Sequence, residues 1–150
     1  MAELPLFVYG TLQDADMREL VLGRRLPPHH IEPADAPGYR VAHFPDRSYP
    51  ALLAAPEQTA RGLLLRGLSP LDMALLDAFE GDEYRRADIE VLACGPRLAL
   101  AYLPNLPIGP NALAWSLDTW RQRHKAEMLD REAGKSAAER ERLAAWQAQQ

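Results

Sequence analysis

A single glutamate at the end of an apolar helical stretch is the first candidate for chemistry. Glu80 lies in the segment LDAFEGDEYRR and directly precedes Gly81, a residue type that commonly ends helices. A carboxylate at a helix C-terminus faces the negative end of the helix dipole, so this position is unfavourable for it. In a partly desolvated site the pKa of such a carboxylate rises, which suits a general base. An exposed glutamate paired with Arg85 or Arg86 explains the same residues, and both interpretations stay open.

The second candidate is the turn that follows the first apolar run. The segment LPLFVYGTLQD predicts a buried strand that stops at Tyr9, Gly10 and Thr11. If Gly10 to Leu12 open into a helix at Asp14, their backbone N–H groups lie at a helix N-terminus, where carboxylates and phosphates bind. Tyr9 and Thr11 add hydroxyl donors. An ordinary strand-to-helix turn is the alternative interpretation.

Other chemical motifs are missing from the sequence. His29 and His30 are adjacent, His43 and His124 are isolated, and the single cysteine, Cys94, is interpreted as a packing residue. None of these has metal-ligand spacing. The glycine patterns of phosphate and dinucleotide sites and the Gly-x-Ser-x-Gly elbow are also absent. The sequence therefore predicts neither a metal nor a cofactor.

Length, charge and hydropathy argue against several classes of partner and location. The 150 residues suffice for one domain with a core, and the net charge is −4 with no basic stripe, so a nucleic-acid partner is not expected. No apolar stretch has the length of a membrane span, so no membrane partner is expected. Glu3 and the short apolar run that follows do not resemble a signal peptide. We therefore expect a cytoplasmic protein.

The elements that would hold these candidates are mostly strands in the first hundred residues. A strand is expected over 4–9 and a helix over 14–22. Seven prolines between Pro27 and Pro56 exclude a long helix and predict short strands and loops, with Tyr39–Phe44 and Ala51–Ala55 as the clearest strands. A further strand is expected over 61–68.

The next segment is predicted to form one helix followed by two strands. Ser69 and Pro70 have the types that begin a helix, and its apolar face extends to about Phe79. Alternation over 86–91 predicts a half-buried strand, with 97–103 as its partner across a turn at Gly95. Many strands with few intervening helices indicate a mixed or antiparallel sheet closed as a barrel.

The last third of the chain is predicted to be helical. One helix is expected over 113–131, and Ser136 with Glu139 forms a capping-box pattern for a last helix that ends near Gln147. The three tryptophans of the chain lie here, at Trp115, Trp120 and Trp146. Their presence predicts packing back onto the barrel or against a second subunit, so a homodimer stays open.

Together, the segments FVYGTL and LDAFEGDEYRRADIEV resemble the gamma-glutamyl cyclotransferase-like family. The matching elements are Phe79-Glu80-Gly81, Tyr84, Arg86, Ile89 and Val91, with YPALL at Tyr49 to Leu53 and Gly62 as further elements. The aromatic residue common shortly after that glycine is Leu65 here. The resemblance covers roughly residues 4 to 103, and no family signal is recognised from Pro104 onward.

The resemblance implies a fold and a domain division. The fold is α+β, a small mixed β-barrel with flanking helices and a cavity beside the Tyr-Gly-Thr-Leu loop. Residues 1–103 would form the gamma-glutamyl cyclotransferase-like domain, and residues 104–150 a C-terminal helical extension packed on the same domain.

The resemblance also implies an activity. Family members cyclise the gamma-glutamyl group of a small amine or peptide to pyroglutamate and release the free amine. By the match, the catalytic acid/base is Glu80, and the substrate-binding residues are Tyr9, Gly10, Thr11, Leu12 and Tyr84. The leaving-group side of the cavity is expected in the 27–56 region. The alternative is a non-catalytic small-metabolite-binding or accessory domain of the same fold.

Overall fold

The computed structural model describes residues 4–149, and its five strands close into a barrel. The strands are β1 Leu6–Val8, β2 Ile31–His43, β3 Pro50–Leu65, β4 Tyr84–Leu92 and β5 Pro96–Pro104. Their order around the barrel is β1-β3-β2-β4-β5, and β1 closes the barrel by pairing in parallel with β5. The other pairs are antiparallel, so the predicted α+β class with a small mixed barrel is confirmed. Glu3 lies outside the described residues.

Four α-helices within residues 4–149 flank this barrel. They are α1 Ala15–Leu22, α2 Pro70–Glu80, α3 Leu117–Arg123 and α4 Lys125–Ala148, with short 3-10 turns at Thr11–Gln13, Pro28–His30 and Gly81–Glu83. The predicted starts of the first two helices are confirmed, since Asp14 caps α1 and Ser69 caps α2. Over residues 4–149, none of the helices combines the length and the apolar character that crossing a bilayer requires.

The predicted short strands of the proline-rich region are wrong in length. β2 has 13 residues and β3 has 16, so the strands expected over 51–55 and 61–68 belong to one element. β2 pairs with β4 at a single position, Asp35 opposite Leu92. Near Pro33 and Pro37 the second edge of β2 is therefore paired only at Asp35, so the N–H groups that these prolines lack are not needed for a continuous ladder there.

A register shift accommodates the proline in β3. Tyr39 pairs with Ala54 and Pro37 pairs with Thr59, so residues 55–58 of β3 have no partner on β2. Pro56 lies in this exposed bulge, where its missing N–H is not needed. The prolines therefore mark a bulge and a nearly free edge rather than the ends of strands.

The predicted boundaries of the C-terminal helices are also wrong. Residues 113–115 are extended and lie against β2, where the Trp115 N–H donates to Val41 O at 3.2 Å and Ala114 bridges Ala42. The chain breaks at His124, between α3 and α4. Ser136 is buried within α4 instead of capping a separate helix.

The tryptophans differ in their surroundings. Trp120 is 1% exposed and Trp115 is buried, with its indole N–H donating to Ser48 O at 2.8 Å. Trp146, near the end of α4, is 57% exposed. Two of the three tryptophans therefore pack back onto the barrel side of the protein, as predicted.

Candidate active site

A cavity of about 330 Å³ lies between the end of β1, the C-terminus of α2 and the middle of α4. All six residues that the sequence selected line it: Tyr9, Gly10, Thr11, Leu12, Glu80 and Tyr84. The fold thus brings the loop and the glutamate, about seventy positions apart in the chain, to one site.

In the loop after β1, the carbonyl groups accept hydrogen bonds from within the protein, whereas several N–H groups have no acceptor. The Gln13 side-chain amide donates to Tyr9 O at 2.9 Å, and the Arg18 guanidinium donates to Leu12 O at 3.0 Å and Gln13 O at 2.8 Å. Within residues 4–149, the N–H groups of residues 10–12 donate to no protein acceptor. The loop therefore presents free donors of the kind that bind anions.

Gly10 is required by space on the protein side. Its φ of −122° is not in the left-handed region, but an added Cβ would lie 2.7 Å from Cγ of Pro50. Pro50 is held in turn by Tyr84, whose hydroxyl donates to Pro50 O at 2.6 Å. Tyr84 therefore fixes the strand segment on which the loop packs.

The two arginines that the sequence left as partners for Glu80 bind elsewhere. The Arg86 guanidinium lies 2.9 Å from Oδ2 of Asp77, and Arg85 donates to Pro104 O at 2.7 Å. Glu80 is half-buried, and its carboxylate accepts no hydrogen bond from the described residues. The interpretation of Glu80 as one member of a surface ion pair is therefore wrong.

Burial raises the pKa of the Glu80 carboxyl to about 8, and the negative charge of Asp77 raises it further in the same direction. Asp77 lies one helical turn before Glu80 on α2, and its Oδ1 accepts a hydrogen bond from the Tyr102 hydroxyl at 2.7 Å. A carboxyl with this pKa can both accept and return a proton near neutral pH. Glu80 thus has the property that a general acid/base needs.

The hydroxyl groups of the site divide into bound and free donors. The Tyr9 hydroxyl donates to Tyr102 O at 2.5 Å, and burial raises its pKa well above the ordinary value. Tyr49 donates to Glu83 and accepts from Arg47, and burial raises its pKa to about 12. The Thr11 hydroxyl has no hydrogen-bond partner within residues 4–149. Thr11 is therefore the hydroxyl of the loop that is free to donate to a ligand.

Sequence reasoning missed one wall of the cavity. Met128, Arg131, Glu132 and Lys135 of α4 line it, at spacings that place them on one helix face. From the 27–56 region only Tyr49 and Pro50 contribute, so the expected location of the leaving-group side in that region is not supported by the lining. The helical periodicity of α4 was the available signal, but nothing in it indicated which neighbour this face meets.

No metal site is visible in the described part of the chain. Across residues 4–149, no three histidine, cysteine, aspartate or glutamate side chains cluster in a way that could hold an ion. The rings of His29 and His30 meet edge to face, with centroids 4.4 Å apart, and neither residue lines the cavity.

Comparison with known proteins gives one consistent family. The model of the family described as "Gamma-glutamyl cyclotransferase, AIG2-like" matches residues 6–122. AIG2-like protein C of Arabidopsis thaliana is 30% identical over 132 residues, which are 85% of this chain and 75% of that protein. AIG2-like protein A of the same plant is 27% identical over 128 residues, 83% of this chain and 76% of that protein.

Solved structures show the same fold. The solution structure of At5g39720.1 from Arabidopsis thaliana has a TM-score of 0.64 at 26% identity and covers 85% of this chain and 86% of that chain. That of At3g28950.1 from the same plant has a TM-score of 0.65 at 20% identity, with coverage of 87% and 81%.

Proposed function

Since the chain belongs to the gamma-glutamyl cyclotransferase, AIG2-like family, we propose that it cyclises the gamma-glutamyl group of a small amine or peptide to pyroglutamate and releases the free amine. The observation that carries this proposal is the meeting, in one cavity, of a half-buried carboxyl that accepts no hydrogen bond from the described residues and a loop of free N–H donors. The first group can move a proton, and the second can bind a negative charge.

Binding of the substrate is assigned to the loop. A gamma-glutamyl compound carries an alpha-carboxylate, and its gamma-carbonyl oxygen becomes negative in the transition state. The N–H groups of residues 10–12 and the Thr11 hydroxyl can donate to one of these oxygens. The close packing of Gly10 on Pro50 keeps the backbone of this loop in place.

The nucleophile is the alpha-amine of the substrate itself. Its nitrogen forms a bond to the gamma-carbon and closes a five-membered ring, while the bond from the gamma-carbon to the leaving nitrogen breaks. Because the nucleophile is already tethered, the protein mainly has to hold the chain in a folded conformation. A serine or cysteine nucleophile is not needed for this step.

Glu80 balances the protons of the reaction. The alpha-ammonium loses two protons in becoming the ring N–H, and the Glu80 carboxylate takes each in turn, the first to free the attacking lone pair and the second once the new C–N bond has formed. One of these protons is returned to the leaving nitrogen as its bond to the gamma-carbon breaks, and the other goes to the solvent. The pKa of about 8 keeps both forms accessible near neutral pH, so one residue can act as base and then as acid.

A panel of gamma-glutamyl amines and dipeptides tests this function through the release of pyroglutamate. The proposal expects turnover of at least one member of the panel by the wild-type protein. The alternative, a non-catalytic binding domain of the same fold, expects a ligand-induced rise in melting temperature without pyroglutamate from any member. The cytoplasmic location, the homodimer, the division at residue 103 and metal independence stay predictions.

A further inference from the structure

The wall supplied by α4 carries a charge that the proposed chemistry does not use. The family model ends at residue 122, before α4 begins at Lys125. Of the residues between 4 and 149 that line the cavity, the two cationic ones are Arg131 and Lys135, and both come from α4. A ligand in this cavity therefore meets positive charge on the α4 side.

Both cations are available to a ligand. Each is more than half exposed, and among the described residues each pairs only with a glutamate of its own helix, Arg131 with Glu127 at 3.3 Å and Lys135 with Glu132 at 3.9 Å. Exposed pairs of this kind contribute little and exchange readily. By contrast, Arg47, which lies near the same cavity, donates a hydrogen bond to the Tyr49 hydroxyl and lies 3.4 Å from the Glu83 carboxylate.

The proposed function leaves the group on the leaving nitrogen without a binding site. The alpha-carboxylate or the oxyanion is assigned to the loop after β1, and the alpha-amine to Glu80. The group on the leaving nitrogen then has to lie along the remaining wall. The remaining wall includes the face of α4 that carries Met128, Arg131, Glu132 and Lys135. This face offers an apolar side chain, two cations and the glutamate that pairs with Lys135.

We propose that this α4 face is the leaving-group subsite and that Arg131 and Lys135 bind a carboxylate on the released amine. The inference rests on the proposed function. It names the substrate class as gamma-glutamyl amino acids rather than gamma-glutamyl alkylamines. Glu127 and Glu132, which pair with the two cations on α4, are displaced when the carboxylate binds.

A matched pair of substrates tests the subsite, because gamma-glutamyl-L-alanine and gamma-glutamyl-ethylamide differ only in that carboxylate. The wild-type protein should prefer the alanine compound in kcat/KM by about tenfold, the value of one charge-assisted interaction. Arg131→Gln with Lys135→Gln should reduce this preference to within about twofold of unity by slowing the alanine compound alone.

Two controls keep the result interpretable. Arg142→Gln removes a cation of the same helix that pairs with Glu139 and does not line the cavity, so the preference should persist. In the wild-type protein, raising the salt from about 0.05 M to about 0.5 M should weaken the preference, because the two cations are exposed to screening. This second measurement does not depend on the folding of any variant.

The outcomes separate this inference from the function on which it rests. Equal turnover of both substrates by the wild-type protein, or equal losses on both in the double variant, would contradict the α4 subsite alone. Equal losses would mean that the cations bind the glutamyl part shared by the two compounds. Absence of pyroglutamate from both substrates would contradict the proposed function and, with it, the subsite.

Discussion

At the residue scale, the environment of Glu80 determines when it can act as a base. Burial and the charge of Asp77 place its pKa at about 8, so the carboxylate form becomes dominant only above that pH. We expect kcat/KM to rise about tenfold per pH unit below this value and to level off above it. A pH profile of pyroglutamate release measures this. If kcat/KM instead levelled off at about pH 4.3, which is the ordinary pKa of glutamate, the raised pKa of Glu80 would be contradicted.

We expect Asp77 to raise the pH at which kcat/KM levels off, through its effect on the pKa of Glu80 and without contacting the substrate. Asp77→Asn removes the negative charge one turn before Glu80 and keeps a group that can accept from the Tyr102 hydroxyl. The pKa of Glu80 should fall, so the acid limb of the profile should move to lower pH. Asp88→Asn, on the exposed face of β4, is the control. A uniform loss of rate with an unmoved limb would make Asp77 merely structural.

Gly10 gives a second prediction at this scale. In Gly10→Ala the new Cβ would lie 2.7 Å from Cγ of Pro50, so the loop or the strand must shift. Overpacking of this size costs about 1–3 kcal/mol of unfolding free energy. The displaced N–H donors should also weaken ligand binding beyond that cost.

Urea unfolding and pyroglutamate binding of the alanine variant check the Gly10 prediction. Gly109→Ala is the matched control, because nothing lies within 4 Å of the added carbon. Normal stability and normal binding of Gly10→Ala would contradict this prediction, because Pro50 would then move away from the added Cβ at no cost.

At the element scale, the buried carboxylate of Asp14 links the start of α4 to the start of α1. Asp14 is 1% exposed and caps α1 by accepting a hydrogen bond from the Met17 N–H. Its Oδ2 lies 2.8 Å from Nε of Arg121 and 3.0 Å from Nζ of Lys125. Burial acts to raise the pKa of Asp14, but the hydrogen bonds from these cations lower it below the ordinary value. The charged carboxylate therefore stabilises the fold.

Asp14→Asn should keep the cap and lose the charge pairs. Asparagine caps helices about as well as aspartate, so the expected loss of about 1–2 kcal/mol at neutral pH comes from the cations, which are partly exposed. Because the folded pKa is lowered, this stabilisation is present above about pH 3.9 and disappears as the pH falls through the folded value.

Urea unfolding at neutral and acidic pH measures the Asp14 effect. Asp16→Asn removes the exposed second partner of Lys125 and should change the unfolding free energy by less than about 0.5 kcal/mol. A difference between wild type and Asp14→Asn that persists at low pH would assign the effect to packing instead of charge.

The elements differ in how far the sequence could predict them. α2 was predictable because Ser69, Pro70 and Gly81 are local signals that act on their own helix. The lengths of β2 and β3 were not, because the tolerance of Pro33 and Pro56 depends on which edges are paired in the closed barrel. The break at His124 carries no glycine or proline and was missed for the same lack of a local signal.

At the scale of the whole molecule, the barrel joins two distant segments into one site, and α4 closes its side. The loop after β1 and the end of α2 were predictable as candidate site residues because their local patterns resemble those of a family. The contributions of Asp77, Tyr102 and α4 were not, since they arise from contacts between elements. No local property of α4 in the sequence indicates that its 128–135 face lines a cavity.

Metal independence is a prediction for the whole molecule. The proposed reaction needs only a tethered amine, a proton carrier and anion donors, so exhaustive chelation should leave the rate of pyroglutamate release unchanged. Assays before and after dialysis against a chelator check this. A lost rate that zinc or manganese restores would contradict the mechanism.

Pyroglutamate release by the Glu80→Gln variant tests the proton-transfer role of Glu80 most directly. Glutamine keeps the shape of the side chain but cannot take the ammonium proton, so the rate should fall by a factor of about 10²–10⁴ while pyroglutamate still raises the melting temperature. Glu90→Gln, the same change on the exposed face of β4, should retain full activity. Full activity of Glu80→Gln, with the wild-type protein active in the same assay, would contradict the account.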